Sequence, residues 1–578
     1  MARDRTRIGS TVALGIALAV GAAAPAAAQG RNDPPAYTPA PDAKDLKAVL
    51  FNWTWHMGML RGVDEHELVV SLEYQGTGTI QVDGQPCTLT SYRASTNYQV
   101  SGQRIQYTCT LPDGREHSNI EVVSGQYAWN EDVPGAEIIP GKGKATPMPD
   151  AVQERLIRLW ASPQGAPKAA LAGAGIALTD MDRDPGRRLE GGTSKIGTTS
   201  VTWEGGKPVV TYEIPGVPGA IAEATLDDRY MAERVIVTYD GTTTEFAYGD
   251  YRDWNNPLNR IEAYYAGRMT EKRDGEVLRD LTTVETETGS VYVVVPVPDS
   301  VWEAITPGKP RPPRILLASD RQVEFTSTEP TPRRPDGKPD LTGNWVSPGM
   351  NWRYGNRRCG PTQLEGCSPA WNQTIDFEFE APSRFGPNRP LYKPEHWDKV
   401  QQLDMWTNKE DPVMTCQPLG IPRQGPPRRI VQTDKDIIFF YTQYADGGGG
   451  YGEYRIIPID GRKHDEQQTM FTKYMGYTVG RWEGDTLVLD SIAFNDFTWL
   501  ARGGFFHSDQ MHVVERFTRQ GNEILYEVTV EDPEVLAEPW VMTPRILRLN
   551  TNPDAGLLPE RNHCEVYETE DIVTQIRH

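Results

Sequence analysis

Alternating apolar and polar residues, interrupted by short turns, recur through the last third of this 578-residue sequence. The clearest repeats are RIVQTDKDIIFFY, GYTVGRWEGDTLVLD and HVVERFTRQGNEILYEVTV. A period of two places successive side chains on opposite faces of a strand, and a tight turn joins antiparallel neighbours. A run of such hairpins favours a closed antiparallel barrel, because closure removes the exposed edges of an open sheet.

The length of the chain predicts more than one domain. Residues 306–339 are rich in Pro and in charged residues, which predicts a linker. Residues 42–305 predict an α+β domain with a large curved antiparallel sheet, and 340–578 predict the antiparallel barrel. We therefore expect a fold that is mainly β with some α. Within the first domain, apolar spacing predicts helices that begin at Leu46 and near Asp150.

Residues 1–28 have the features of an export signal. Arginines at the start precede an apolar run over 12–24, and small residues precede Gln29. We expect cleavage after Ala28, followed by a disordered Pro- and Ala-rich tail over 29–41. The apolar run is too short and too rich in Ala and Gly for a permanent span, and no later segment reaches the roughly 20 apolar residues that a span needs. The mature protein is therefore expected to be periplasmic or secreted.

Charge and cysteine content narrow the function further. The formal net charge is -20, and it becomes -22 when residues 1–28, with three Arg and one Asp, are removed. An acidic surface disfavours binding to nucleic acid, which needs Lys and Arg. Six cysteines suit an oxidising compartment, and the absence of a CxxC pair disfavours zinc. Their spacing favours three disulfides, although other pairings stay open: Cys87–Cys109, Cys359–Cys367 and Cys416–Cys564.

The stretch FNDFTWLARGGFFHSDQMHVVERF, over 494–517, concentrates aromatic and titratable groups between two predicted strands. Aromatic side chains supply contact area for an apolar ligand, and a few polar groups orient it. A strand that begins at Met511 would place His512 and Arg516 on one face and Glu515 on the other. We expect ligand contacts from Phe494, Trp499, Phe505, Phe506, Glu515 and Arg516.

The histidines of this stretch are the candidate catalytic residues. We expect His507 and His512 to act as general base or acid, oriented by Asp496 or Asp509, because histidine exchanges protons near neutral pH. In the alternative, both histidines are hydrogen-bonded in a loop that plugs the mouth of the barrel. A 2-His-1-carboxylate metal set from His507, Asp509 and His512 is a further alternative. The sequence lacks HExxH, however, and we expect no metal or other cofactor.

Two resemblances follow from longer motifs. The second domain resembles a large group of mostly uncharacterised exported bacterial proteins, through GRWEGDTLVLD, FNDFTWL and HSDQMHVVERF. Its opening, Gly343–Trp345 followed by hairpins, is also similar to a lipocalin barrel. The first domain resembles Lol-type lipoprotein-carrier domains through VIVTYDGTTTEFAYGDYRDWNNPLNRIE and VVVPVPDSV. These resemblances imply two folds that hold apolar molecules.

These features predict an exported hydrolase or lyase, or an isomerase, that uses acid–base chemistry. Its substrate would be a hydrophobic small molecule such as a lipid, terpenoid, steroid or aromatic compound. The alternative is a non-catalytic periplasmic carrier or binding protein for an apolar ligand. A third possibility, an envelope interaction module, is favoured only if side chains fill the barrel. The sequence predicts no particular oligomeric state.

Overall fold

The computed structural model describes residues 39–59, 69–176, 192–254, 263–309, 325–346, 389–403, 411–441, 453–542 and 544–552, except 41, 70, 290 and 502–503. Within these ranges the chain is mainly β with some α, as the sequence predicts. It contains one large antiparallel sheet and one nearly closed, barrel-like antiparallel sheet. The predicted export signal and nearly all of the predicted tail lie outside the described residues.

The first half of the chain forms a 14-stranded sheet. Its strands, with the small separate pair β13–β14, are β1 (Ser71–Val82), β2 (Gln85–Asn97), β3 (Gly102–Thr110), β4 (Glu116–Ser124), β5 (Tyr127–Glu131), β6 (Ala145–Pro147), β7 (Lys195–Ile196), β8 (Thr199–Glu204), β9 (Lys207–Glu213), β10 (Ile221–Leu226), β11 (Ala232–Tyr239), β12 (Thr242–Gly249), β13 (Arg252–Asp253), β14 (Tyr264–Tyr265), β15 (Arg268–Arg273) and β16 (Glu276–Gly289). The order across the sheet is β6-β5-β4-β3-β2-β1-β16-β15-β12-β11-β10-β9-β8-β7. The first and last strands in sequence therefore lie side by side at the centre of the sheet.

One long strand replaces two predicted shorter ones near the start of this sheet. The sequence predicts strands over 65–73 and 78–82, whereas β1 continues from Ser71 to Val82. The register shifts after Gln75 because the strand bulges at its glycines. A Cβ atom at Gly78, where φ is +134°, would lie 2.0 Å from a main-chain oxygen of β16. Only glycine permits this close approach of two backbones.

Six α-helices accompany the sheets in the described ranges. They are α1 (Leu46–His56), α2 (Val152–Ala161), α3 (Gly165–Ala174), α4 (Asp299–Ile305), α5 (Trp397–Gln402) and α6 (Glu466–Thr469), with 3-10 turns at Tyr98–Val100, Pro149–Ala151, Pro394–His396 and Pro412–Thr415. Apolar side chains of α1, α2 and α3 share one buried core with the large sheet. The helix α1 begins where the Asp45 carboxylate accepts a hydrogen bond from the Ala48 N–H. None of the described helices is long and apolar enough to cross a membrane.

The second half forms a 10-stranded sheet that nearly closes on itself. Its strands, with the separate pair β23–β24, are β17 (Gly343–Val346), β18 (Arg429–Gln432), β19 (Asp436–Tyr441), β20 (Glu453–Pro458), β21 (Tyr477–Glu483), β22 (Thr486–Ile492), β23 (Trp499–Ala501), β24 (Phe505–Phe506), β25 (His512–Gln520), β26 (Glu523–Glu531), β27 (Trp540–Val541) and β28 (Arg545–Leu549). The order is β20-β19-β18-β17-β28-β26-β25-β22-β21, with β27 beside β26. Close to the two terminal strands, the Gly461 N–H donates to the Gly480 carbonyl at 3.1 Å. The hairpins predicted by the alternation are confirmed by these pairings.

A buried ion pair and aromatic rings occupy the inside of this barrel. The Arg455 guanidinium lies 2.6 Å from the Glu515 carboxylate, and the Tyr526 hydroxyl donates to that carboxylate at 3.0 Å. The Phe517 ring lies 4.9 Å from the Tyr526 ring and 5.1 Å from the Phe439 ring, measured between centroids. The described inward-pointing side chains therefore pack against one another, as in a protein core.

The two halves share a buried contact region. Val291, Val293, Val295 and Val297 are buried, although their segment, predicted as a strand over 290–295, lies outside the strands of both sheets. Its Tyr292 belongs to the core of the second half, where its hydroxyl donates to the Pro390 carbonyl and accepts from the Tyr392 N–H. The segment 291–297 therefore packs against both halves of the chain.

The disulfide Cys87–Cys109 forms between β2 and β3, as predicted. Cys416 is disulfide-bonded as well. Cys359, Cys367 and Cys564 lie outside the described residues, so the other two pairings stay predictions.

Candidate functional site

The stretch that the sequence singles out is a buried aromatic hairpin. Phe494, Trp499, Phe505 and Phe506 are all at least nine-tenths buried. Strands β23 and β24 pair with each other, and the Phe505 and Phe506 rings lie 6.2 and 5.1 Å from the Tyr392 ring. These four rings, predicted to contact a ligand, belong to the buried core of the second half, where the Phe505 ring also lies 6.1 Å from the Tyr292 ring.

His507 is held inside this hairpin by two hydrogen bonds. Its Nδ1 lies 2.9 Å from the Ser508 carbonyl oxygen, and its Nε2 lies 2.7 Å from the Thr498 hydroxyl. A carbonyl only accepts, so Nδ1 carries the proton and Nε2 accepts from the hydroxyl. Burial lowers the pKa of His507, against the opposing effect of the Ser508 hydrogen bond. His507 is therefore a neutral imidazole whose two hydrogen bonds stabilise the hairpin.

Replacing His507 by alanine should lower the free energy of unfolding by about 2–3 kcal/mol, because it empties a buried site and leaves the Thr498 hydroxyl without its acceptor. The matched change at the half-buried His512 should cost less than about 1 kcal/mol. Urea unfolding followed by circular dichroism measures both. Equal losses in the two variants would contradict a structural role for His507.

The two aspartates predicted to orient the histidines lie at the surface. Asp496 and Asp509 are both exposed. The Asp509 carboxylate accepts from the Gln510 side-chain amide at 2.7 Å. The Ser508 hydroxyl and N–H instead donate to Asp532, a buried carboxylate that the sequence analysis did not select.

His512 forms its contacts elsewhere, on the outer face of the barrel. Its Nδ1 lies 3.1 Å from Glu531 Oε2 and its Nε2 lies 3.2 Å from Asp490 Oδ1. His464 Nε2 lies 2.7 Å from the same Asp490 oxygen. We name these four residues the His–Asp cluster. It is partly open to solvent, because the side chains of Asp490 and His512 are 25% and 30% exposed.

The hydrogen bonds of the His–Asp cluster assign its protons. Both ring nitrogens of His512 face carboxylate oxygens, so both must donate and the ring is an imidazolium. Accordingly, the hydrogen bond to Asp490 raises the pKa of His512, with a further contribution from Glu531, against the effect of burial. The pKa of Asp490 falls to about 2, mainly through its hydrogen bonds to His512 and then His464, which outweigh burial.

His464 has a different set of contacts from His512. Its Nε2 lies 2.7 Å from Asp490 Oδ1, whereas its Nδ1 is buried and has no hydrogen-bond partner among the described residues. The cluster thus places two imidazoles on one carboxylate oxygen.

Stability should depend on pH through His512. Its folded pKa is above its ordinary value, so its stabilising contribution is fully present below about pH 6.5 and is lost as the pH rises through the folded pKa. We expect the difference in unfolding free energy between the protein and a His512→Gln variant to decrease between about pH 6 and 9. Urea unfolding across this range measures the difference, and a difference that does not change with pH would contradict the assignment.

Glu515 and Arg516 face opposite sides of the sheet, as the alternation predicts. Glu515 is fully buried inside the barrel with Arg455. Arg516 lies outside, 3.0 Å from Glu483, which also pairs with Arg481 at 2.8 Å. These two residues, grouped as ligand contacts from the sequence, therefore take part in two separate ion-pair networks.

The register of one hairpin explains why Glu531 lies beside His512. The turn at 521–522 pairs Gln520 with Glu523, and counting back along both strands places Glu531 directly opposite His512. The turn and the equal counts along the two strands are visible in the sequence, although the sequence-based predictions did not pair Glu531 with His512. Asp490 is a diagonal neighbour across β22 and β25, and His464 comes from a loop with no periodic signal.

No protein family matches the sequence, and no curated protein is significantly similar to it. Within the described ranges, no group of three or more His, Cys, Asp or Glu side chains has a geometry that could hold a metal ion. The resemblances to exported bacterial proteins, lipocalins and Lol-type domains stay predictions.

Proposed function

We propose that this chain is an enzyme that uses acid–base chemistry on a hydrophobic small molecule at the His–Asp cluster. The main support is that two imidazoles share one carboxylate oxygen. His512, which donates from both nitrogens, is the general acid, and His464 is the general base. Asp490 is a positioning residue that orients both rings.

The expected reactions are those that need one proton taken and one proton given. In an isomerisation, His464 takes a proton from carbon and His512 protonates the far end of the shifted double bond. In an elimination or a hydrolysis, His464 takes a proton from the substrate or from water, and His512 protonates the leaving oxygen. General acid or base catalysis of this kind contributes about 10²–10⁴-fold to a rate.

Exposed apolar side chains support a hydrophobic substrate. Met470 and Phe471 are 76% and 70% exposed, and they belong to the segment that runs from His464 to Tyr477. Phe497, 58% exposed, contacts Tyr474 in the same segment. Exposed large apolar side chains that are close together along the chain can form a binding surface.

The test incubates purified protein with a panel of lipid, terpenoid, steroid and aromatic esters, alcohols and enones, and follows products by mass spectrometry. The protein and an Arg548→Gln variant should form the same product. His464→Gln and His512→Gln should form it at least about 100-fold more slowly. Arg548 is the control because it is an exposed arginine of the barrel on β28, a strand that carries no residue of the cluster.

The result separates the proposal from its alternative. Equal product formation by the His464→Gln and His512→Gln variants would reject the cluster as the catalytic site. A panel compound that binds and is recovered unchanged would favour the carrier or binding protein predicted as the alternative.

Export remains part of the proposal. The Cys87–Cys109 disulfide supports it, because disulfides persist in oxidising compartments. Expression of the full chain, followed by fractionation and mass determination of the N-terminal peptide, tests it. Mature protein that begins at Gln29 outside the cytoplasm is the expected result, and retention of residues 1–28 in a cytoplasmic product would contradict it.

A further inference from the structure

A cavity lies in the first half of the chain, between the end of α2 and the large sheet. Its volume is about 40 Å³, enough for about three water molecules or a group of similar size. Side chains of several tyrosines and of an ion network line it. The lining residues used below are Tyr74, Tyr92, Arg158, Glu271, Arg279 and Leu281.

The ion network around this cavity has more positive than negative groups. Arg158 and Arg279 both contact the buried Glu271 carboxylate, at 2.9 and 3.2 Å. Arg155 donates to main-chain carbonyls and to Asn130 instead of a carboxylate. Ion pairs join three guanidinium groups to three carboxylates: Arg158, Arg273 and Arg279 with Glu121, Glu154 and Glu271. The buried Arg155 guanidinium, which interacts electrostatically with several of the same groups, adds one positive charge in excess.

Arg279 also has an unused donor. Its Nε and Nη2 contact Glu271 and Glu121, whereas its Nη1 is buried without a hydrogen-bond partner. The residue is 9% exposed. A buried charged donor without an acceptor is costly, so the site is incomplete without a ligand that accepts hydrogen bonds.

The tyrosines supply further donors and apolar walls. The Tyr74 and Tyr92 hydroxyl oxygens are 3.4 Å apart, and only one of their two protons is needed between them. The other proton is available for a third group. Burial, followed by the effect of Tyr92, raises the pKa of Tyr74 well above its usual value, so this hydroxyl stays protonated at neutral pH.

We propose that this cavity binds the carboxylate group of a small organic acid, held by Arg279 and by the Tyr74–Tyr92 hydroxyl pair. One excess positive charge matches one carboxylate, and the planar guanidinium suits its two oxygens. Aromatic walls favour an organic acid over an inorganic anion. The volume restricts the bound part to about the size of acetate. This site is separate from the His–Asp cluster and does not depend on the function proposed there.

Isothermal titration calorimetry with acetate, propionate and inorganic phosphate tests the assignment. We expect saturable binding of a carboxylate by the protein, and at least tenfold weaker binding by Arg279→Lys, which keeps the charge but loses the planar fork. Leu281→Phe, which fills the cavity without altering the ion network, should weaken binding to a similar extent. Arg268→Gln, at an exposed arginine on the neighbouring strand β15, should bind like the unaltered protein.

Thermal unfolding shows whether each variant is folded, so a loss of binding can be distinguished from a loss of structure. If Arg279→Lys does not fold, Leu281→Phe decides the question alone. Saturable carboxylate binding that Leu281→Phe weakens and Arg268→Gln leaves unchanged supports the site. Tighter binding of phosphate than of either carboxylate, no saturable binding, or equal binding by the filled-cavity variant would each overturn the proposal.

Discussion

Replacing Glu515 by glutamine should lower the free energy of unfolding by about 3–5 kcal/mol, the largest stability loss expected from a single change in the barrel. The change keeps the size of the side chain but removes its charge, which leaves the Arg455 guanidinium buried without a counter-ion. Arg455 also contacts the Tyr441 hydroxyl at 3.0 Å and Thr478 at 2.8 Å, so one change disturbs contacts among several strands. Chemical unfolding with a near-ultraviolet probe measures the loss.

Two companion variants sharpen this prediction. Arg516→Gln, one residue further along the same strand but on the outer face, should cost no more than about 1 kcal/mol, because exposed ion pairs contribute little. The double variant Arg455→Met with Glu515→Leu should recover most of the lost stability, since it removes both charges. A loss at Glu515 no larger than that at Arg516 would show that the buried pair does not control the stability of the barrel.

Replacing Asp490 by asparagine should lower the pKa of His512 and reduce turnover by at least about 100-fold. The reason is that the His512 imidazolium loses its principal carboxylate, and His464 loses the group that orients it. Titration of the imidazole NMR signals gives the pKa independently of any substrate. The rate is measured on a compound identified in the panel described above.

A matched aspartate provides the control. Asp434→Asn alters an exposed carboxylate at the turn between β18 and β19, and it should change neither the pKa of His512 nor the rate. If Asp490→Asn leaves the pKa unchanged, the geometry of the cluster is wrong. If the pKa falls while turnover is unaffected, the cluster is a structural ion network and the catalytic proposal fails.

Much of the fold was predictable because each hairpin is encoded by residues that are close together in the sequence. Each hairpin of the barrel is encoded by period-two alternation and a short turn, and the inward position of Glu515 followed from its two neighbours. The pairing of distant strands is not local, and no pattern in the sequence indicates that β1 lies beside β16. Gly76 and Gly78 suggest an interruption when the sequence of β1 is considered alone, although the strand continues through both of them beside β16.

The candidate site was only partly predictable. His512 was identified, but its partners were sought nearby in sequence, at Asp496 and Asp509, whereas they come from other strands and from a loop. Asp490 and Glu531 are brought to His512 by strand register, which short-range patterns do not reveal. The aromatic residues were predicted to contact a ligand, and no pattern in the sequence indicates that Phe494, Trp499, Phe505 and Phe506 are buried in the core of the second half.

The central position of β1 and β16 has a consequence for how the protein folds. The two strands are separated by about 200 residues, so closing the intervening loop is slow compared with forming local hairpins. Until Glu276–Gly289 has been synthesised, β1 has a partner on one side only and presents an open edge to other chains. The middle of the sheet is therefore the last part to form, and the newly made polypeptide is most prone to aggregation just before it does.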